Sequence, residues 1–226
     1  MINIKENVSQ FEGKFNQALK KGERKSSTVQ VVAVIKNSPI QLTKEIIQEG
    51  FNHLAENRPE GLLEKQNELN NQNITWHFIG NLQTRKVKEI INRIDFLHSL
   101  DRLSLAKEIE KRAENSIACF VQVNISGENS KSGIHPDKLE EFITQLADYP
   151  KIKIIGLMTM APLLGDETVI RSVFSRLKIC QEQIAKKKLP YAPCTELSMG
   201  MSGDYQIAIE EGATYIRIGS SFFKSN

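Results

Sequence analysis

Two spacings of apolar residues alternate along the chain, one with the period of a helix and one that fits a buried strand. The helical spacing comes first, over residues 2–20, where Val8, Phe11, Phe15 and Leu19 recur at steps of three and four and predict an amphipathic helix. Residues 22–27 break it. The strand pattern follows in residues 29–36, a run rich in β-branched residues that is ended by Lys36 and followed by Asn37, Ser38 and Pro39. Such a run reads as a parallel strand buried on both faces, with its last side chain emerging at a rim.

The alternation continues without interruption. Helices are predicted at 42–49, stopped by Gly50, and at 59–69, 85–91 and 102–112, the last capped by Asp101. Further helices are predicted at 137–147, 168–185 and 205–211, the last stopped by Gly212. Strands fall between them at 53–55, 74–79, 96–100, 117–123, 152–157, 195–197 and 215–218, the seventh strand being the weakest. Eight strands alternating with helices predict an α/β fold, a single (β/α)8 TIM barrel with an extra N-terminal helix, occupying residues 1–226 as one domain. In such barrels reactive groups stand at the carboxyl ends of the strands, so Lys36, Asn57, Ser198 and Gly219 would share one mouth.

Composition narrows the function classes. The 226 residues are 40% hydrophobic and 25% charged, which suits one globular core. A net charge of +3 is too small to imply nucleic acid without a focused basic stripe. Lys186, Lys187 and Lys188 follow a predicted helix and precede Pro190, where cations complement a helix C-terminus. Residues 1–10 carry Lys5 and Glu6 and lack an apolar centre, and no run reaches membrane-spanning length, so no signal peptide or span is expected and the location expected is cytoplasmic. Cys119, Cys180 and Cys194 are odd in number and far apart, which predicts reduced packing residues, with neither a disulfide framework nor a metal site. A closed barrel has no free sheet edge, so a monomer is expected.

The candidate chemistry lies at the strand ends. After the eighth strand come Gly219, Ser220 and Ser221, and after the seventh come Ser198, Gly200, Ser202 and Gly203. Two adjacent loops with small donors and open backbone predict a phosphate cup at the place where barrels commonly bind phosphate. A phosphate opposite the amine of Lys36 restricts the ligand to a phosphorylated sugar or pyridoxal phosphate, either of which can offer an aldehyde to that amine. By itself Arg217 reads as a barrel-mouth ion-pair residue. Set beside a pyridine nitrogen it would keep that nitrogen unprotonated, because the guanidinium stays charged.

The stretches VVAVIKN, LAEN, WHFIGNLQTRK, HSLDRLSLAKEI, VQVNISGENSKSG, GLMTM, LSMGMSGDY and IRIGSSFF, in this order and spacing, resemble the pyridoxal phosphate homeostasis protein family, which has the alanine-racemase-like barrel. The resemblance runs from about Val29 to Phe223. It implies that Lys36 carries pyridoxal 5'-phosphate as a Schiff base, with Asn57 beside the cofactor. It further implies that Ser198, Ser202, Gly219 and Ser220 surround the phosphate, together with the open backbone of Gly200, and that Arg217 approaches the pyridine nitrogen. Ala55 stands where the family often has Gly, and Arg85 where it often has Asn.

Members of that family are not known for turnover, and the similar alanine racemases use a second base and an additional β domain that this chain is not expected to contain. The resemblance therefore implies a carrier and buffer serving intracellular cofactor homeostasis, with no catalytic residues and with cofactor-dependent apoenzymes as partners. The alternatives are a racemase-like enzyme, a Schiff-base aldolase, or an interaction protein that docks through basic helix ends. His77 is read either as facing the cofactor or as a hydrogen-bonded barrel histidine, and Met158 and Met160 as apolar contacts at the mouth. Glu56 is left without an assigned role, though it could neutralise a nearby Lys or Arg, and Lys131 is read as a second acceptor during transfer.

Overall fold

A computed structural model describes residues 2–69, 73–128 and 132–225. After the first helix, α1 (Ile4–Lys21), the chain runs β1 (Gln30–Val34), α2 (Ile40–Gln48), β2 (His53–Glu56), α3 (Pro59–Glu68), β3 (Thr75–Phe78) and α4 (Val87–Ile90). It continues through β4 (Phe96–Leu100), α5 (Leu103–Arg112), β5 (Ile117–Gln122), α6 (Pro136–Gln145) and β6 (Ile152–Met158). The last elements are α7 (Glu167–Ala185), β7 (Glu196–Met201), α8 (Tyr205–Glu210), β8 (Tyr215–Ile218) and α9 (Ser220–Phe223). All eight strands pair in parallel in chain order, and β8 closes on β1 through partners such as Val32 with Arg217.

The extra helix takes a structural place in this ring. In a regular barrel a helix after the last strand would cover the closing seam, but α9 is a single turn of four residues. Instead α1 lies against α8 and α9, burying Val8, Phe11, Phe15 and Leu19 as their spacing predicts. The Phe11 ring meets Phe15, Phe51, Tyr205 and Phe222, and burial of such a side chain contributes about 1.5–3 kcal/mol. The Asn7 amide donates to the carbonyls of Phe222 and Lys224, which ties the two chain ends together. Gly13 lies within α1 with open space around its Cα. Gly13→Ala is expected to stabilise the protein by roughly 0.5–1 kcal/mol through helix propensity alone, read as a higher urea midpoint with an unchanged slope.

Three predicted elements differ from their expected form. Residues 85–91 are not one helix: 3-10 turns at Thr84–Lys86 and Ile91–Arg93 flank α4, and the segment buries Val87, Ile90 and Ile91. Asp101 does not cap α5. Its carboxylate is drawn instead to the guanidinium of Arg102, the residue that occupies the cap position. β7 extends to Met201, well past the predicted end at 197, because Gly200 at φ +93° absorbs an irregularity in the pairing with β8.

Candidate functional site

At the carboxyl rim the strand register brings together residues far apart in sequence. β1 ends at Val34, and Ile35 still donates its N–H to the carbonyl of Ala55. Lys36 therefore lies just beyond the strand, exposed, in a turn held by Ser38 N–H on the Ile35 carbonyl and by Asn37 at φ +61°. Val34 pairs with Ala55, so Asn57 leaves the adjacent strand at the same level. On the other side of β1 stands Gly219. A Cβ at Gly219 would come within 3.3 Å of the Val34 carbonyl, so the turn after β8 sits close against the first strand.

The two small-residue loops meet as predicted, with one redistribution. The N–H groups of Gly219 and Ser221 both donate to Oγ of Ser202, at 3.2 and 3.1 Å. Two amides converging on one oxygen mark a place suited to oxygen acceptors, and the exposed Ser220 lies between them in the chain. Gly200 is buried and packed against α8, where a Cβ would come within 2.6 Å of Ala208. Ser198 is not at a strand end. It is the third residue of β7, fully buried inside the barrel, because β7 continues beyond it.

Below the rim lies Arg217, 4% exposed, whose Nη1 donates to Ser198 Oγ at 2.6 Å and whose Nη2 donates to the Thr159 carbonyl at 3.0 Å. Burial pushes its pKa down to about 10, opposed by the carboxylate of Asp204, so it remains a cation at neutral pH. Asp204, whose own pKa is raised by burial, accepts from the Met201 N–H at 2.6 Å and so ties the turn after β7 to the charge beneath it.

Beneath Ser198 are groups that composition and motif did not join. Ser198 Oγ lies 2.8 Å from His98 Nδ1, His98 Nε2 lies 2.9 Å from His77 Nδ1, and His77 Nε2 lies 2.9 Å from His53 Nδ1. His77 is thus a hydrogen-bonded barrel histidine, fully buried like His98. Each of the three stands on its strand at inward parity, which is the signal in the sequence that would have joined them. Burial first, then the penalty of charging two adjoining imidazoles at once and, at His98, the charge of Arg217, hold His77 and His98 well below the usual imidazole pKa, so both are neutral in the folded protein.

That burial sets a pH dependence of stability. Below about pH 6.5 the unfolded chain protonates both imidazoles while the folded chain does not, so the unfolded state binds more protons and stability falls as pH falls. The full stability contribution is present above that pH, and the loss approaches about 1.4 kcal/mol per pH unit for each histidine. Urea unfolding followed from pH 7.5 to 5.5 should show this decline, in a window above the ordinary carboxylate range. A flat profile would mean that the imidazoles are already charged in the fold.

The remaining predicted residues have clear places. Glu56 is buried and ion-paired with Lys65, and also accepts from the N–H of Asn57 at 2.9 Å. Met158 is buried, whereas Met160 is exposed. Arg85 is exposed and donates to Gln83. Lys131 lies outside the described residues. The three cysteines are free, and burial raises the thiol of Cys194 to about 12. Among the described residues there is no group of three or more metal-ligating side chains, and no helix is long and apolar enough to cross a membrane.

Comparison with known proteins adds the following. The family described as alanine racemase, N-terminal domain, matches residues 13–226. A pyridoxal phosphate homeostasis protein of Aquifex aeolicus is 35% identical over 225 residues, covering 98% of each chain. The solved structure of PipY from Synechococcus elongatus with PLP bound has a TM-score of 0.85 and 30% identity, over 98% of this chain and 100% of that one. An alanine racemase of Clostridium difficile has a TM-score of 0.74 at 13% identity, over 95% of this chain and 57% of that one, a likeness of fold alone.

Proposed function

Because the chain belongs to the pyridoxal phosphate homeostasis protein family, within the group that shares the alanine racemase N-terminal domain, we propose that it binds pyridoxal phosphate at the barrel mouth and serves as its carrier and buffer. The observation that carries this reading is the convergence at one rim of an exposed amine, a cup of amides and a hydroxyl, and a buried guanidinium beneath. This donor set matches the cofactor's three functional groups: an aldehyde, a phosphate dianion and a ring nitrogen.

Lys36 would hold the aldehyde carbon and Asn57 would lie alongside. Ser202, Gly219 and Ser220 would hold the phosphate, with Gly200 shaping the backbone beneath them and Ser198 acting one layer lower through Arg217. When bound, the cofactor supplies a reactive carbonyl and a conjugated ring able to withdraw electrons. Arg217 limits that second property. A guanidinium is a donor only, so a ring nitrogen set against it accepts a hydrogen bond and takes no proton. The ring is then a weak electron sink, which supports holding the cofactor without turnover.

The same reading has the protein acting as a monomer in the cytoplasm and passing cofactor to apoenzymes. The deciding experiment is borohydride reduction of the cofactor-loaded protein followed by peptide mass analysis. A pyridoxyl adduct on Lys36 is the expected result, and a protein that cannot be loaded overturns the proposal. Steady turnover of an amino acid would replace the carrier with an enzyme.

A further inference from the structure

We propose that His53, His77, His98 and Ser198 form a proton relay inside the barrel, carrying protons between the mouth at Arg217 and the opposite end of the strands at His53. It rests on this chain's own residues, so it stands or falls separately from the cofactor reading.

The polarity of the chain follows from counting donors. Arg217 can only donate, so Ser198 Oγ accepts from it, and the relay assigns the serine's own O–H to His98 Nδ1, the acceptor placed 2.8 Å away. A neutral His98 that accepts at Nδ1 carries its proton on Nε2 and donates to His77 Nδ1. His77 in turn donates from Nε2 to His53 Nδ1, which leaves the His53 proton on Nε2. One fixed charge at the mouth thus orders four links of the chain.

Stacking clamps the two buried rings. His77 lies on Phe96 with centroids 4.5 Å apart and planes 7° apart, and His98 lies on Phe120 at 4.4 Å and 26°. Close packing on both rings opposes their turning over, so in the relay a change of tautomer comes from passing protons.

The shift balances at every atom. Ser198 gives its proton to His98 Nδ1, His98 gives its Nε2 proton to His77 Nδ1, and His77 gives its Nε2 proton to His53 Nδ1. Ser198 regains a proton from water or an acidic ligand group at the mouth, and His53, now protonated on both nitrogens, can release its Nε2 proton at the far end. The reverse shift restores the starting state.

His53 is the first residue of β2, only part-buried, and so is the place where the relay opens. The groups that face it are Val32 from β1, Thr75 and His77 from β3, and the carboxylate of Asp95 at the foot of β4. Burial lowers its pKa and Asp95 partly offsets this. Asp95 is itself held by the N–H of Trp76 at 2.7 Å. Any ligand atom set against Arg217 and Ser198 would therefore have a proton path that does not cross the mouth.

The test uses cofactor-free full-length protein labelled with 15N in its histidine rings, with the exposed His135 as the reference signal. At neutral pH the three relay histidines should all show the Nε2–H tautomer. On acidification His53 becomes charged, and its Nδ1–H then requires His77 and His98 to carry their protons on Nδ1. The ring signals of both should therefore exchange at the midpoint of the His53 titration. His53→Phe should abolish that exchange while both rings remain neutral. Retention of the Nε2–H form at His77 or His98 while His53 titrates overturns the relay, and so does persistence of the exchange in His53→Phe.

Discussion

Lys36→Ala should abolish the borohydride-fixed adduct, together with the yellow colour of the loaded protein, while leaving the fold as stable as before. The stability half of the expectation follows from position. Lys36 lies one residue past the last backbone bond to β2, is exposed, and among the described residues has no hydrogen-bond or ion-pair partner. Surface substitutions of this kind change stability by less than about 0.5 kcal/mol. The cofactor would then be held only by the phosphate cup and the groups around its ring. An affinity loss on the order of a hundredfold, about 2.7 kcal/mol, is expected. Equilibrium dialysis and mass analysis of the reduced protein check both parts. An adduct that moves to another lysine would reassign the anchor, and an unchanged adduct yield would remove Lys36 from the site.

Gly80→Ala is expected to damage both the fold and the site. A Cβ at Gly80 would stand 2.0 Å from the carbonyl oxygen of Asn57 and 2.9 Å from its Cα, a backbone overlap that no rotamer relieves. Neither side can yield easily: Ile79 donates to the Glu56 carbonyl at 2.9 Å, and the Gly80 carbonyl accepts from Ser99 Oγ at 2.6 Å. The cost should be about 2–4 kcal/mol, seen as a fall in Tm of roughly 5–15 °C. Gly156→Ala makes the control, because its Cβ would meet the Glu196 carbonyl at 2.1 Å at the start of β7, away from Asn57. Both variants should lose comparable stability, but only Gly80→Ala should also weaken cofactor binding, by about tenfold or more. Equal loss of binding in the two would show that Asn57 acts only through the stability of the barrel.

The barrel was legible because its strands and helices announce themselves locally. Val8, Phe11, Phe15 and Leu19 can share a face only in a helix, and the run of β-branched residues before Lys36 can be buried on both faces only in a parallel strand. The sequence pattern ends the seventh strand too early because a glycine inside a bulged strand and a glycine in a loop look alike in sequence. The φ of Gly200 is set by the pairing of Met201 with Arg217 across the bulge. The winding of residues 84–93 was likewise decided by burial, which required several apolar side chains to turn inward at once.

The site divides in the same way. Lys36, Asn57, Ser202 and Gly219 could be assigned to one rim because each follows an apolar run, and in a parallel barrel all such ends lie on the same side. Ser198 looks equivalent in the sequence but lies one layer lower, and His53 and His98 carry only the parity of their strands, which shows that they point inward and not what they touch. The successive relay residues lie 24, 21 and 100 positions apart in the chain, and what joins them is ring orientation and a spacing under 3 Å. Sequence by itself determined the order of the strands, the direction in which they point and the rim where the chemistry gathers, because these depend on periodicity and chain direction. The tertiary structure alone decided which inward side chains touch, because barrel closure and register bring together residues with no local relation to one another.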